Sequence, residues 1–97
     1  MEARLTQFEL DSIVKSIRDY DSQCKIFLYG SRTDCSAKGG DIDLLVESEV
    51  LKFSEKIKIL TDIKSKIGDQ KIDLTILTAQ ALSEDLFFKE VIKISLT

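Results

Sequence analysis

Two short β-prone runs, separated by a polar loop, do most to restrict the fold of this chain. Residues 25–29 form an apolar run that stops at Gly30, as strands commonly stop at glycine. Residues 41–47 form a second run whose centre is apolar on both faces, which suits an internal strand. Residues 32–40, between the runs, predict a polar loop with room for one helical turn. We therefore expect two strands joined by this loop.

Helical spacing marks two further segments. Thr6 and Glu9 fit a capping box, so we expect a helix over about residues 7–19. Residues 53–67 repeat apolar side chains at helical spacing, and Gly68 ends this second amphipathic helix.

The remaining third of the chain predicts one more strand and one more helix. Residues 71–77 alternate between apolar and polar side chains, as a half-buried strand does. Thr78 or Ser83 would cap a last helix containing Leu86, Phe87, Val91 and Ile94. The order of elements predicts a single α/β domain spanning residues 1–97, a length that suits one domain.

Composition excludes several kinds of site. The chain has 0 His, which rules out Ser-His-Asp and Cys-His nucleophiles and His-ligated zinc. Any metal should then be bound by oxygen, which favours Mg²⁺ or Mn²⁺. The net charge of -3 and the scattered basic residues give no strong signal for nucleic-acid binding.

The sequence predicts a cytoplasmic protein. Its first residues lack the apolar core of a secretory signal, and no apolar run approaches the length of a membrane span. Cys24 and Cys35, the only cysteines, do not indicate a disulfide framework.

Three aspartates are the candidate metal ligands. Asp41 and Asp43 project to the same side because strand residues alternate faces. Asp73 has apolar neighbours similar to those of Asp43, and it joins them if the two strands are adjacent. Three carboxylates with no basic partner in sequence should repel one another, so the cluster makes sense if a divalent ion neutralises it.

The Gly30-Ser31 turn is a candidate phosphate site. Gly30 permits positive φ and a close backbone approach, and Ser31 offers a hydroxyl and an N–H. Arg32 and Lys38 add positive charge for phosphate oxygens. Transfer of a group at phosphorus needs correct positioning of the reactants and neutralisation of the developing charge. Asp41 and Asp43 would hold the metal that neutralises this charge, and Asp73 would help to bind a second metal or act as a base.

Each part has a simpler interpretation. A Gly-Ser pair is more often only a turn, and alternating acids are common on solvent-facing strands. The joint arrangement is more specific: strand, Gly-Ser, loop, Asp-x-Asp opening a strand, helix and Asp-bearing strand.

At this point the sequence resembles a known family. Residues 28–32, Leu-Tyr-Gly-Ser-Arg, and residues 38–46, Lys-Gly-Gly-Asp-Ile-Asp-Leu-Leu-Val, look like the motif of the minimal nucleotidyltransferases (MNT) in the polymerase β-type superfamily. The resemblance covers nearly the whole chain. It implies a small mixed sheet of three or more strands, with helices mainly on one face.

The resemblance also implies an activity and a partner. The activity is Mg²⁺-dependent transfer of a nucleoside monophosphate, usually from ATP. Asp41, Asp43 and Asp73 would be catalytic metal ligands, and Gly30 and Ser31 would hold the triphosphate. Minimal members pair with an all-helical HEPN-type toxin, act as its antitoxin, and in some cases add AMP to its tyrosine.

Two departures from the family pattern leave other functions open. Thr33-Asp34-Cys35 stands where many members have Ala-Arg-Gly. The short chain also lacks the helical domain of larger members, so a separate helical protein or a second copy would complete the site. The alternatives are a non-catalytic module that neutralises or scaffolds a helical partner, and transfer to a small molecule, which the absent domain disfavours.

Overall fold

A computed structural model describes residues 5–33 and 40–97. The described part has four helices and four strands, with a 3₁₀ turn at Gly30–Thr33. The helices are α1 (Gln7–Arg18), α2 (Phe53–Ile67), α3 (Ala79–Glu84) and α4 (Leu86–Glu90), and the strands are β1 (Lys25–Tyr29), β2 (Ile42–Glu47), β3 (Ile72–Leu77) and β4 (Lys93–Ser95). The predicted α/β class and mixed sheet are confirmed.

The strands form one sheet in the order β3-β2-β1-β4. β1 is antiparallel to both β2 and β4, whereas β2 and β3 are parallel and are joined through α2. Parallel neighbours need such a crossover because a tight turn cannot return the chain to the same end of the sheet. The sheet therefore combines a βαβ unit with two antiparallel pairs.

The predicted start of α1 is confirmed in detail. The Thr6 hydroxyl accepts a hydrogen bond from the Glu9 N–H at 3.0 Å, and the Thr6 N–H donates to Glu9 Oε1 at 2.9 Å. Both bonds satisfy backbone donors that a helix start leaves without partners. α2 ends as predicted at Gly68, whose φ of 92° lies in the region that favours glycine.

The two long helices cover one face of the sheet. Strand residues at even positions point to this face, and those of β2 are fully buried, because α1 and α2 pack over them. This core comprises Ile13, Ile17, Ile26, Leu28, Ile42, Leu44, Val46, Ile59, Ile63 and Leu74, all at 0–1% exposure. Burial of these aliphatic side chains is the main stabilising contribution to the domain.

The other face is covered only in part, and here the predicted last helix is wrong. The segment forms two short helices and a strand, and Ile94 lies in β4. Thr78 caps α3 as expected, but Asp85 rather than Ser83 caps α4, accepting from the Phe88 N–H at 3.1 Å. The chain becomes extended at Val91, with φ -74° and ψ 144°, which ends the helix before β4. Phe88 packs on Tyr29 and Leu45 from this side.

None of the helices in residues 5–33 and 40–97 has the length and apolar character that a membrane crossing needs. Cys24 is buried with a free thiol. Cys35 and Lys38 lie outside the described residues.

Candidate functional site

The sheet places two of the predicted aspartates side by side. Asp43 on β2 is the register partner of Asp73 on the parallel strand β3, so both side chains project from the face opposite the long helices. Neighbouring strands lie about 4.8 Å apart, within reach of two carboxylates that share a ligand. The condition for Asp73 to join Asp43, that their strands be neighbours, is met.

The Asp43 carboxylate lies against the Gly-Ser turn. Gly30 has φ +78°, and a Cβ built on it would lie only 2.4 Å from Asp43 Oδ2. Only glycine allows this approach, because any side chain would collide with the carboxylate. The Thr33 hydroxyl donates to the Gly30 carbonyl at 2.7 Å and closes the 3₁₀ turn. The two halves of the sequence motif are therefore in direct contact.

The environment of Asp43 disfavours its ionised form. Burial raises the pKa of its carboxyl above the ordinary value, and the negative charges of Asp73 and then Asp41 raise it further. The positive charge of Lys71 opposes this rise. A carboxylate whose ionised form is disfavoured in this way gains from a nearby cation.

Lys71 corrects one part of the sequence analysis. The three acids were expected to have no basic partner, but Lys71 Nζ lies 3.5 Å from Asp41 Oδ2. Lys71 directly precedes β3. The Ile42 N–H donates to the Lys71 carbonyl at 3.0 Å, and this bond fixes the Lys71 backbone beside Asp41. The Lys71 side chain is 81% exposed and that of Asp41 45%, so solvent screens the pair and Asp41 can leave it at little cost.

The donor set fits an oxygen-binding divalent cation in part. Asp43 and Asp73 supply adjacent carboxylates, which Mg²⁺ and Mn²⁺ accept. Within residues 5–33 and 40–97, no three Asp, Glu, Cys or His side chains form a group that could hold a metal ion. Asp41, the third predicted ligand, is paired with Lys71.

The Arg32 side chain forms hydrogen bonds with Gly40, at the far end of the loop between β1 and β2, and with Gln70, before β3. Its Nε donates to the Gly40 carbonyl at 3.3 Å, and its Nη2 donates to Gln70 Oε1 at 3.3 Å. Gln70 Nε2 in turn donates to Glu9 Oε2 at 2.6 Å. Burial raises the pKa of Glu9, but its hydrogen bonds with Gln70 and Thr6 outweigh burial and lower it. This network, defined as Glu9, Gln70 and Arg32, ties both ends of the loop to α1.

The other predicted phosphate contacts stay predictions. The backbone of Ser31 belongs to the 3₁₀ turn that starts at Gly30. Its side chain and Lys38 lie outside the described part of the structure.

Tyr29 is a site residue that the sequence analysis missed. It is the antiparallel register partner of Asp43, so it projects from the same face. Burial raises the pKa of its phenol, a hydrogen bond with Thr75 opposes this, and the charges of Asp73 and Asp43 add to the rise. The phenol thus stays protonated beside two acids. Strand alternation would have found it once β1 and β2 were paired.

No protein-family model matches the chain, and no curated protein sequence matches it.

Proposed function

We propose that this domain transfers a nucleoside monophosphate from a nucleoside triphosphate, in the simplest case AMP from ATP, to a hydroxyl acceptor. The observation that carries the proposal is the pairing of Asp43 with Asp73 in direct contact with the Gly30 turn. Two adjacent acids and a glycine that admits close approach provide for a cation and for phosphates in one place.

The aspartates and the turn take separate roles in this proposal. When bound, Mg²⁺ or Mn²⁺ would neutralise the charge on the triphosphate and on the departing pyrophosphate. Asp43 and Asp73 supply carboxylate oxygens to it, and Asp41 joins them after leaving Lys71. Gly30 and the backbone of Ser31 would receive the triphosphate, and Arg32 and Lys38, which follow the turn in sequence, would supply positive charge.

The reaction is an in-line displacement at the α-phosphorus. The acceptor oxygen forms a bond to phosphorus, the bond to the β-phosphate oxygen breaks, and pyrophosphate leaves. Asp73 is exposed, so one of its carboxylate oxygens can hold the cation while the other takes the proton of the acceptor hydroxyl.

The family resemblance supports the acceptor and the setting. We propose a tyrosine of a small helical HEPN-type toxin as acceptor, with this chain as antitoxin in the cytoplasm. A separate helical partner is consistent with a domain that carries only short helices beside its acids.

Labelled ATP tests the transfer. The protein is incubated with α-labelled ATP, Mg²⁺ and the helical protein encoded beside it, and label on that protein is measured. We expect transfer that Asp43→Asn and Asp73→Asn each abolish, whereas Asp69→Asn, an exposed acid in the loop before β3, leaves it unchanged. Absence of transfer, or equal transfer by all variants, refutes the proposal.

Mn²⁺ binding, measured by paramagnetic resonance, tests the cation site without catalysis. Asp43→Asn should weaken binding, and Lys71→Met should strengthen it because Asp41 is then released from its ion pair. Binding that neither substitution alters would place the cation elsewhere.

The Asp41–Lys71 ion pair also favours a second candidate function. With Asp41 engaged and no group of three acids formed in the described residues, the domain would bind a helical partner without catalysis. Calorimetry separates the two functions: a scaffold binds the partner equally well after Asp41→Asn and Asp43→Asn, and transfers no label.

A further inference from the structure

One long edge of the sheet has no partner strand within the described residues. β3 ends the strand order, and its six residues form a regular strand. The Ile42 N–H donates to the Lys71 carbonyl at 3.0 Å, and the Ser48 N–H donates to the Leu77 carbonyl at 2.9 Å. In a parallel pair, every second residue of a strand directs both its N–H and its C=O to the partner strand. Lys71 and Leu77 face β2 in this way, so Ile72, Leu74 and Ile76 direct their N–H and C=O groups outwards.

A groove lies beside this edge, where β3 passes the start of α2. It has a volume of about 300 Å³ and is lined by Leu51, Lys52, Phe53, Lys56, Thr75 and Ile76. Leu51 is buried, and Phe53 on its rim is 73% exposed. An open edge beside an apolar groove suits strand addition, in which the backbone is paired and side chains enter the groove.

The positive charge of Lys52 and Lys56 in the groove favours an acidic occupant. In the described residues neither Lys52 nor Lys56 has an acid within ion-pair distance. The nearby Glu55 carboxylate turns back to accept from the Lys52 backbone N–H at 2.8 Å. Two lysines beside one carboxylate therefore leave a local excess of positive charge on a chain of net charge -3. A second copy paired across this edge would bring like charges together, which disfavours it.

We propose that the edge of β3 and its groove bind an extended, acidic segment of a protein partner by strand addition. The backbone of the segment pairs with Ile72, Leu74 and Ile76. Its apolar side chains enter the groove, and acids on the same face of the segment meet Lys52 and Lys56. This surface is independent of the proposed transfer, although Asp73 lies on the same strand.

Arrayed peptides test the proposal with the full chain. The probes have about ten residues, enough to span a strand. Val occupies the central groove-facing positions, Glu, Lys or Ser occupies the outer groove-facing positions, and Ser fills the positions on the opposite face. We expect the Glu series to bind best, and N-methylation of alternate backbone amides on the edge-facing side to abolish binding. No binding in any series, or best binding in the Lys series, overturns the proposal.

Charge reversal on the protein supplies a matched control. Lys52→Glu with Lys56→Glu should weaken binding of the best Glu peptide about tenfold. Lys58→Glu with Lys64→Glu makes the same change of net charge on exposed positions of α2 and should leave binding unchanged. Equal weakening by both pairs overturns the proposed location.

Amide exchange and sedimentation decide the remaining points. Bound peptide should slow hydrogen exchange at the N–H groups of Ile72, Leu74 and Ile76. Binding without this protection overturns strand addition. A dimer of the free protein in which the same three amides are already protected assigns the edge to a second copy instead.

Discussion

Gly30→Ala tests the contact between the turn and the candidate metal ligand. The added Cβ would lie 2.4 Å from Asp43 Oδ2 and 3.3 Å from its Cγ. Ordinary van der Waals contact begins at 3.4 Å, so the carboxylate oxygen must move by about 1 Å. A carboxylate beside Asp73 has few directions in which to move, and we expect an altered χ1 or χ2 angle.

Two terms set the size of the effect. Placing alanine at φ +78° costs about 1–2 kcal/mol, because its Cβ crowds the carbonyl oxygen. Displacing Asp43 from its side-chain minimum adds about 0.5–1.5 kcal/mol. Urea unfolding followed by circular dichroism should therefore show a loss of about 1.5–3.5 kcal/mol in unfolding free energy.

A double-mutant cycle separates the two terms. In an Asp43→Ala background the nearest remaining Asp43 atom is Cβ at 3.6 Å, an ordinary contact, so only the backbone term persists. The two substitutions should therefore couple by about 1 kcal/mol.

Gly68→Ala is the matched control for this cycle. Gly68 also has positive φ, but nothing lies within 4 Å of its added Cβ, so it should be additive with Asp43→Ala. Equal coupling at both glycines, or none at Gly30, would refute the close contact on which the proposed site depends.

Three further predictions concern the pH dependence, the Glu9–Gln70–Arg32 network and the second face. The pKa of Asp43 is raised in the folded state, so the folded protein should lose stability as pH rises from 3.8, the ordinary pKa of the group, through the folded pKa. Asp43→Asn should remove this loss when urea unfolding is measured at several pH values. Parallel stability profiles for the two proteins would contradict this. Gln70→Leu should cost about 1–2 kcal/mol of unfolding free energy because it removes hydrogen bonds to two charged side chains, those of Arg32 and Glu9. Gln80→Leu, which removes one exposed hydrogen bond, should cost under about 0.5 kcal/mol, and equal losses would argue against the network. Phe88→Ala should lower the unfolding free energy by about 3–5 kcal/mol because the ring is 6% exposed, while Phe87→Ala, at 58% exposure, should cost far less; a smaller loss for Phe88 than for Phe87 would reverse the described packing.

Local patterns predict the elements of the first three quarters of the chain well. The Thr6–Glu9 capping box and the positive φ of Gly68 are satisfied within a few residues of sequence, so no distant contact is needed to identify them. Residues 86–94 were wrongly predicted as one helix because their apolar spacing fits a helix and no Gly or Pro marks the break at Val91. β4 pairs with β1, more than sixty residues earlier, and that pairing overrides the local preference.

The candidate site was predictable only in part, for a similar reason. Alternation placed Asp43 on a face, but its pairing with Asp73 depended on the two strands being neighbours. The ion pair of Asp41 with Lys71 and the hydrogen bond from Arg32 to Gln70 arise from the register between elements. No local pattern encodes such contacts, because each joins side chains distant in sequence.

The strand order has a consequence for synthesis on the ribosome. β1 is made first of the four strands, yet both of its neighbours, β2 and β4, follow it along the chain. The Leu96 N–H donates to the Ile26 carbonyl at 2.8 Å, so the last of these bonds waits until residues 93–96 have emerged. A nascent chain would thus carry β3, β2 and β1 as a three-stranded sheet in which the β1 edge still lacks β4. The open β1 edge makes this interval a stage at which the nascent chain is prone to aggregate.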